Sequence, residues 1–289
     1  MTDQAWPFGA LGVPPGRILP VPGRGEFFLR DSGGDGPPVL LLHGWMFNAD
    51  LNWGLAYEPL VSAGYRVLAM DHRGHGRGLR SRKPFRLADC AADCAAVLRE
   101  TGATNAIVVG YSMGGAIAQL LALEHRESVA GVVMCATSAN WDSKGMQRTW
   151  RAMPALRLAF GVGGIAAYDR AIAQMGFPKS NRSEWIAAEL SRGSSRDIAE
   201  AGKELGRHDT RDQLAAIRKP AASIVTTKDG SVPPRFQRDL ARGLGAKEFE
   251  LEADHMATGT HPHEFNTMLL EAIAFVREEA GLDPAVPLT

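Results

Sequence analysis

The sequence lacks an excess of charge of either sign. Its 289 residues include 32 basic and 32 acidic side chains, so the formal net charge at pH 7 is zero. A neutral chain has no general electrostatic field to attract DNA, RNA or an anionic membrane. We therefore expect no nucleic-acid partner and a small, neutral or mixed molecule as ligand. A homo-oligomer is compatible with this composition.

Long apolar runs and paired cysteines are also missing. No run approaches the roughly 18 residues of a membrane helix, and the first 20 residues lack the basic start and compact apolar stretch of a signal peptide. Three cysteines, Cys90, Cys94 and Cys135, are too few for a disulfide framework. The spacing of His, Cys, Asp and Glu matches no metal site. We expect a cytoplasmic protein without a membrane span, metal or cofactor.

What the sequence does contain is an alternation of strand and helix signals from Pro38 onward. Continuous apolar strands separated by helices predict an α/β fold, a mostly parallel sheet with helices on both faces. The predicted strands are 38–42, 65–70, 106–109, 129–135, 222–227 and 247–251, and the predicted helices are 87–100, 113–124 and 262–278.

The alternation stops between residues 138 and 212, where helix-like stretches occur without a convincing strand. A structureless insertion of that length is rare in a compact domain, so 138–212 is predicted to be a helical cap. The core would then comprise 26–137 and 213–289. Residues 1–25, rich in proline and glycine, are predicted to form an irregular arm.

The motif Gly110-Tyr111-Ser112-Met113-Gly114 is the first candidate for chemistry. The pattern G-x-S-x-G often arises by chance, but here it joins an apolar strand to a helix, which is the setting of a nucleophile elbow. Flanking glycines allow a turn tight enough to lift the serine hydroxyl above the sheet, at the N-terminus of a helix. We predict that Ser112 is a nucleophile. A serine that only caps the helix is the alternative.

A serine nucleophile needs a base, and His255 is the best placed histidine. It follows the predicted strand 247–251 and precedes the last helix, so it belongs to a loop at the carboxyl edge of the sheet. His261 and His263 are the alternatives, although both lie beside Pro262, where that helix is expected to begin.

The carboxylate that orients the base should also follow a strand. Asp229 does so directly after 222–227, and the competing interpretation is a turn aspartate in Asp-Gly. Asp142, a few residues beyond an earlier strand, is the rival position. For the oxyanion of acyl transfer, the backbone amides of Met113 and Trp45 are the candidate donors.

Two further stretches are predicted to be structural. The glycine-rich run 161–164 lacks the rest of a dinucleotide fingerprint and is expected to be a loop between helices. The basic stretch 73–86 has a single aromatic residue, too few to interleave with its basic side chains, and is expected to be a solvated loop face.

The order LLHGW, MDHRGHG, GYSMGG, TTKDGSVPP and ADHMATGTHPHEFN resembles the α/β-hydrolase superfamily, in its capped branch of esterases, lactonases and related hydrolases. The resemblance covers residues 26–136 and 214–278. It implies that Ser112 is the nucleophile, Asp229 the acid and His255 the base, with Trp45 and Met113 as oxyanion amides. One departure is Asp254, where the family usually has glycine before the catalytic histidine.

The resemblance implies a serine carboxylic-ester hydrolase that acts on a small, largely apolar substrate through an acyl-Ser112 intermediate. A serine at the elbow argues against the dehalogenase and epoxide-hydrolase branches, which use an aspartate there. Lactonase, thioesterase and carbon–carbon bond hydrolase activities remain alternatives. So does a non-catalytic receptor that has kept the pocket.

Overall fold

The computed structural model describes residues 12–174 and 179–285. Within them the chain forms an eight-stranded sheet in the order β1-β2-β4-β3-β5-β6-β7-β8, in which β3 to β8 are mutually parallel and β1 and β2 are antiparallel to their neighbours. This confirms the predicted mostly parallel α/β sheet. The strands are β1 (Gly16–Val21), β2 (Gly25–Asp31), β3 (Pro38–Leu42), β4 (Arg66–Met70), β5 (Ala106–Tyr111), β6 (Val129–Cys135), β7 (Ala221–Thr226) and β8 (Lys247–Leu251).

Helices cover both faces of the sheet, which explains why its central strands are apolar along their whole length. In β3, Leu40 and Leu42 belong to the core under α3 and α4, whereas Val39 and Leu41 pack on the opposite face with α2 and α11. The helices outside the 138–212 region are α1 (Ala49–Trp53), α2 (Tyr57–Ser62), α3 (Leu87–Glu100), α4 (Met113–Glu124), α9 (Pro234–Leu244), α10 (Ala257–Thr260) and α11 (Pro262–Glu279).

The strand order reverses at β3, and this reversal locates a cleft. β3 pairs with β4 on one side and with β5 on the other, so the loops that follow β3 and β5 diverge at the carboxyl edge. Ligands of open parallel sheets bind at such a switch point.

Among the described residues, four α-helices lie between β6 and β7: α5 (Lys144–Arg151), α6 (Met153–Gln174), α7 (Asn181–Ser191) and α8 (Ser195–Leu205). We call them the inserted helices. The segments that enter and leave them run side by side, with Asn140 bridged to Asp209. The glycine run 161–164, predicted to be a loop between helices, lies within α6 and forms no separate loop. Gly164 (φ 51°, ψ −143°) nevertheless makes a kink there, across which two helical segments join.

The N-terminal region differs from its prediction. Residues 1–11 lie outside the described part, but β1 occupies residues 16–21 of the predicted irregular arm and pairs with β2. Pro20 is compatible with this strand because β1 lies at the edge of the sheet, where a missing backbone donor costs little. Proline content therefore misled the prediction.

The basic stretch 73–86 is a solvated face only in its second half, where Arg80, Arg82, Lys83 and Arg86 are exposed. Arg73 is buried, and its guanidinium donates to the buried carboxylate of Asp93 at 2.7 Å and 2.8 Å. Arg77 donates to Asp71 at the end of β4 and to Asp50 in α1. Asp50 and Asp93 come from other segments of the chain, so the local sequence gave no sign of these pairings. No helix among the described residues combines the length and apolarity needed to cross a membrane.

Candidate active site

Ser112 occupies a strained turn between β5 and α4. Its backbone lies at φ 52° and ψ −116°, a conformation that non-glycine residues adopt only when the surroundings enforce it. The amide of Ser112 donates to the carbonyl of Cys135 at 2.9 Å, and its carbonyl accepts from Thr137 Oγ1 at 2.7 Å. A side chain at Gly114 would collide with the carbonyl oxygen of Leu42. The glycine therefore lets α4 approach β3 while the turn raises Ser112.

The structure brings Ser112, His255 and Asp229 into one chain of hydrogen bonds. His255 Nε2 lies 3.0 Å from Ser112 Oγ, and His255 Nδ1 lies 2.7 Å from Asp229 Oδ2. The carboxylate accepts from Nδ1–H, which leaves Nε2 without a proton and able to accept from the serine hydroxyl. Asp229 is buried, whereas the imidazole is partly exposed.

Asp229 is held by four further contacts that sequence reasoning did not find. Oδ1 accepts from the amides of Ser231 and Val232, both at 2.8 Å. Oδ2 accepts from Thr226 Oγ1 at 2.9 Å and lies 3.2 Å from Gln237 Nε2. Gln237 in turn accepts from the Thr226 amide and donates to Thr226 Oγ1, which orients that hydroxyl toward the carboxylate.

The backbone of the loop that carries His255 is held by a hydrogen bond from the end of β5. Tyr111, at the end of β5, donates its hydroxyl to the carbonyl of His255 at 2.8 Å. Burial raises the pKa of the Tyr111 phenol well above its ordinary value, so the hydroxyl stays protonated and remains a donor. Asp254, the departure from the family pattern, accepts from the Met256 amide at 2.8 Å and from Thr260 Oγ1 at 3.3 Å. Asp254 thus closes an Asx turn that precedes α10.

The alternative residues lie apart from this chain. Asp142 is half exposed and pairs with Arg211 at 3.6 Å. His261 contacts the hydroxyl of Thr260, and His263 is exposed near the start of α11. The structure thus brings His255 and Asp229 to Ser112, whereas Asp142, His261 and His263 lie elsewhere.

Two backbone amides lie beside Ser112. Met113 is the first residue of α4, so its amide has no acceptor within the helix. The amide of Trp45, in the loop after β3, has no hydrogen-bond partner among the residues that the structure describes. Gly44 brings this loop close, since a Cβ there would lie 3.5 Å from Ser112 Cβ. The Gly44 amide donates to Asn52 Oδ1 at 2.8 Å, which anchors the loop.

The inserted helices pack on the same loop. Trp45 Nε1 donates to the carbonyl of Ile198 in α8 at 2.8 Å, and the indole meets Trp150 edge-on at 5.5 Å between centroids. The apolar loop residues Met46 and Phe47 pack against the cluster formed by Phe160 and Tyr168 of α6 with residues of α7. These helices therefore roof the cleft with aromatic and aliphatic side chains.

Three buried imidazoles underlie the loop without touching the hydrogen-bond chain. His43 Nδ1 donates to the carbonyl of Gly44 at 2.8 Å, while its Nε2 accepts from the amide of His72 at 2.9 Å. Burial lowers the pKa of His43 and places that of His72 well below its ordinary value. Burial also lowers the pKa of His75 to about 3. All three rings are therefore neutral at pH 7, and they pack beneath the loop without adding charge to the site.

The residues that the structure describes contain no group of three or more His, Cys, Asp or Glu arranged to hold a metal ion. The three cysteines are buried and free. Burial raises the pKa of all three thiols, so none of them has thiolate character at neutral pH.

The sequence model of the Alpha/beta hydrolase family matches residues 39–268, most of the chain. The chain belongs to the α/β-hydrolase family. Among its relatives, epoxide hydrolase B of Mycobacterium tuberculosis is 39% identical over 121 residues, which cover 40% of this chain but only 34% of that protein. The pimeloyl-acyl-carrier-protein methyl ester esterase of Vibrio atlanticus is 30% identical over 73% of this chain and 83% of its own length.

Solved structures agree on the architecture of this chain. An esterase from Exiguobacterium antarcticum superposes with a TM-score of 0.77 at 20% identity, covering 90% of this chain and 99% of that one. At this identity the similarity shows a shared fold. The variety of names among the relatives shows that family membership alone does not determine the substrate.

Proposed function

We propose that this hydrolase cleaves a carboxylic ester of a small, largely apolar substrate through an acyl-Ser112 intermediate. The observation that carries the proposal is the hydrogen-bond chain from Ser112 Oγ through His255 to Asp229. Nucleophile, base and orienting carboxylate in this order form the arrangement by which serine hydrolases activate a hydroxyl. We call it the triad.

The proposed reaction has two halves. Ser112 Oγ attacks the carbonyl carbon while His255 Nε2 takes the hydroxyl proton, and the amides of Trp45 and Met113 donate to the oxyanion. The carbon–oxygen bond then breaks, and the alcohol leaves with the proton from Nε2. Water attacks the acyl group with His255 again as base, which releases the acid and restores Ser112. Asp229 holds the imidazole in the required tautomer and stabilises the imidazolium formed in each half.

The apolar roof supports the substrate class. Trp45, Phe47 and Phe160 offer packing surface, whereas the described contacts bring no unpaired cationic side chain to Ser112 that would select an anionic acyl group. An ester substrate is also favoured by the relative named as a methyl ester esterase. Lactones and thioesters undergo the same acyl transfer and are the alternatives of the same class, as is hydrolysis of a carbon–carbon bond.

Covalent labelling tests the nucleophile. A fluorophosphonate should give one adduct, on Ser112, and abolish ester turnover. The Ser112→Ala variant should show no adduct and a kcat lower by roughly 10⁴ to 10⁶. Ser128→Ala is the matched control, because Ser128 is equally buried but precedes β6 at the opposite edge of the sheet. Substantial turnover by the Ser112→Ala protein would overturn the proposal.

A panel of p-nitrophenyl esters of increasing acyl length, with matched lactones and thioesters, separates the alternatives. We expect the highest kcat/KM with medium, apolar acyl groups. Tight binding without turnover of any panel member would instead indicate a receptor that has kept the pocket.

A further inference from the structure

The outer face of α6 is apolar and exposed in the part of the chain that the structure describes. The described structure leaves six large apolar side chains exposed, and three of them lie on this one helix. Leu158 is 67% exposed, Val162 is 81% exposed and Ile165 is 49% exposed. A fourth, Trp185, belongs to α7, which packs against α6.

Leu158 and Val162 lie on one side of the helix, because residues four apart face the same way. Ile165 directly follows the kink at Gly164 and adds a third exposed apolar side chain. We call these three side chains the stripe. The opposite side of α6 is buried through Met153, Phe160 and other residues. A helix that is apolar on all sides is normally enclosed, and α6 is enclosed only on its inner side. An open, mostly apolar groove of about 810 Å³ runs along the exposed part.

The neutral total charge conceals a basic region around this stripe. Arg157 and Arg170 lie on α6 itself, and both are exposed. Between residues 144 and 174 the chain has one acidic residue, Asp169, against five basic ones: Lys144, Arg148, Arg151, Arg157 and Arg170. The surface thus combines an aliphatic stripe with cationic borders.

This combination identifies the kind of partner. A second copy that docked through the same face would bring the two sets of arginines together, which is repulsive. The stripe itself is purely aliphatic, without the tyrosine, phenylalanine or methionine that are enriched in protein interfaces. Aliphatic residues bordered by arginine are instead characteristic of helices that lie in the surface of an anionic bilayer.

We propose that α6 docks this protein onto an anionic lipid surface. The stripe at Leu158, Val162 and Ile165 enters the acyl boundary, and Arg157 and Arg170 contact the acidic headgroups. Trp185 is of the residue type that favours the headgroup layer. The docking does not depend on the chemistry of Ser112, so the full-length Ser112→Ala protein can be used to measure it.

Vesicle flotation tests the proposal. The protein should float with vesicles of phosphatidylcholine mixed with phosphatidylglycerol, and less so with phosphatidylcholine alone or at high salt. Leu158→Glu and Val162→Glu should each weaken partitioning by at least about tenfold, because each removes an aliphatic side chain from the bilayer. Arg157→Gln and Arg170→Gln should each weaken it about fivefold.

Leu55→Glu is the matched control, because Leu55 is 52% exposed but lies between α1 and α2. It should leave flotation unchanged, and all variants should keep the wild-type melting temperature. Unaltered flotation of Val162→Glu would overturn the proposal. An absence of flotation with the anionic vesicles would overturn it as well. Self-association in sedimentation that Val162→Glu abolishes would then assign the surface to a second copy of the chain, and binding of an acidic protein through the same residues would assign it to a protein partner.

Discussion

Asp229 accepts hydrogen bonds at both carboxylate oxygens, and one of these donors is the ring of His255. In Asp229→Asn an amide replaces the carboxylate that accepts from His255 Nδ1–H. The acceptor loses its charge, and the required tautomer of His255 is no longer enforced. We expect kcat to fall roughly 10³- to 10⁴-fold in a folded protein. Asp142→Asn, which alters a half-exposed residue paired with Arg211, should cost less than about tenfold. The reverse pattern in steady-state kinetics would assign the acid to Asp142.

The hydroxyl of Thr226 is a finer test of the same site. Thr226→Val keeps the shape of the side chain but removes the donor to Asp229 Oδ2. A hydrogen bond to a charged group contributes on the order of 1.5 kcal/mol, so kcat should fall about tenfold while KM changes little. The neighbouring Thr227→Val is the control, because that hydroxyl donates to the carbonyl of Leu251 instead. Equal kcat for the two variants would show that Thr226 has no positioning role.

The residues of the hydrogen-bond chain could be predicted because each follows a strand at the carboxyl edge, and strand signals are local. The residues that hold them in place could not be predicted. Tyr111 meets the carbonyl of His255 across 144 positions of sequence, and Gln237 reaches Thr226 from a helix whose burial depends on the completed sheet. Such contacts leave no local pattern. Whether the chain of Ser112, His255 and Asp229 performs the proposed chemistry stays a prediction until the labelling is done.

Among the elements, the close approach of α4 to β3 depends on Gly114. Gly114→Ala would drive a methyl group into the Leu42 carbonyl and displace the turn that carries Ser112. We expect a loss of about 1–3 kcal/mol in the free energy of unfolding and a large loss of activity. Gly145→Ala, in α5, meets nothing within contact distance and should be neutral or stabilising by up to about 1 kcal/mol. Urea denaturation of both variants measures the difference, and equal stabilities would contradict this account of the elbow.

The predicted bounds of the longest core elements were accurate, and the structure has helices at Leu87–Glu100 and Met113–Glu124 as the sequence indicated. Their apolar periodicity extends over several turns, which makes the pattern strong. Helices α1 and α2 were missed because five or six residues give no periodic signal. β1 and β2 were both missed, because each depends on its pairing with another strand, β1 with β2 and β2 with β4.

At the scale of the whole molecule, the buried imidazoles make stability depend on pH. Burial lowers the pKa of His75 to about 3 and that of His208 to about 4, and the pKa of His72 lies well below its ordinary value. In the unfolded chain histidine titrates near 6.5. Below that pH the unfolded state binds protons that the folded state does not, so stability is complete above about pH 6.5 and falls as the pH decreases.

Each histidine that stays neutral in the folded state should lower the free energy of unfolding by about 2 kcal/mol as the pH falls from 6.5 to 5. Urea titrations across this range measure the slope. His208→Gln should reduce it, whereas His263→Gln, at an exposed position, should not. A free energy of unfolding that is the same at pH 5 and pH 7 would be incompatible with neutral buried rings.

The paired entry and exit of the inserted helices have an evolutionary consequence. Asn140 and Asp209 are bridge partners, and the Thr210 amide donates to the carbonyl of Ala139 at 3.0 Å, so the two ends of the insertion are already joined. Because closing a longer loop adds little entropy cost, recombination can exchange the intervening segment for one of another length without disturbing β6 or β7. The inserted helices can thus be replaced as one segment, and a lineage can acquire a new substrate range while its reaction centre is inherited unchanged.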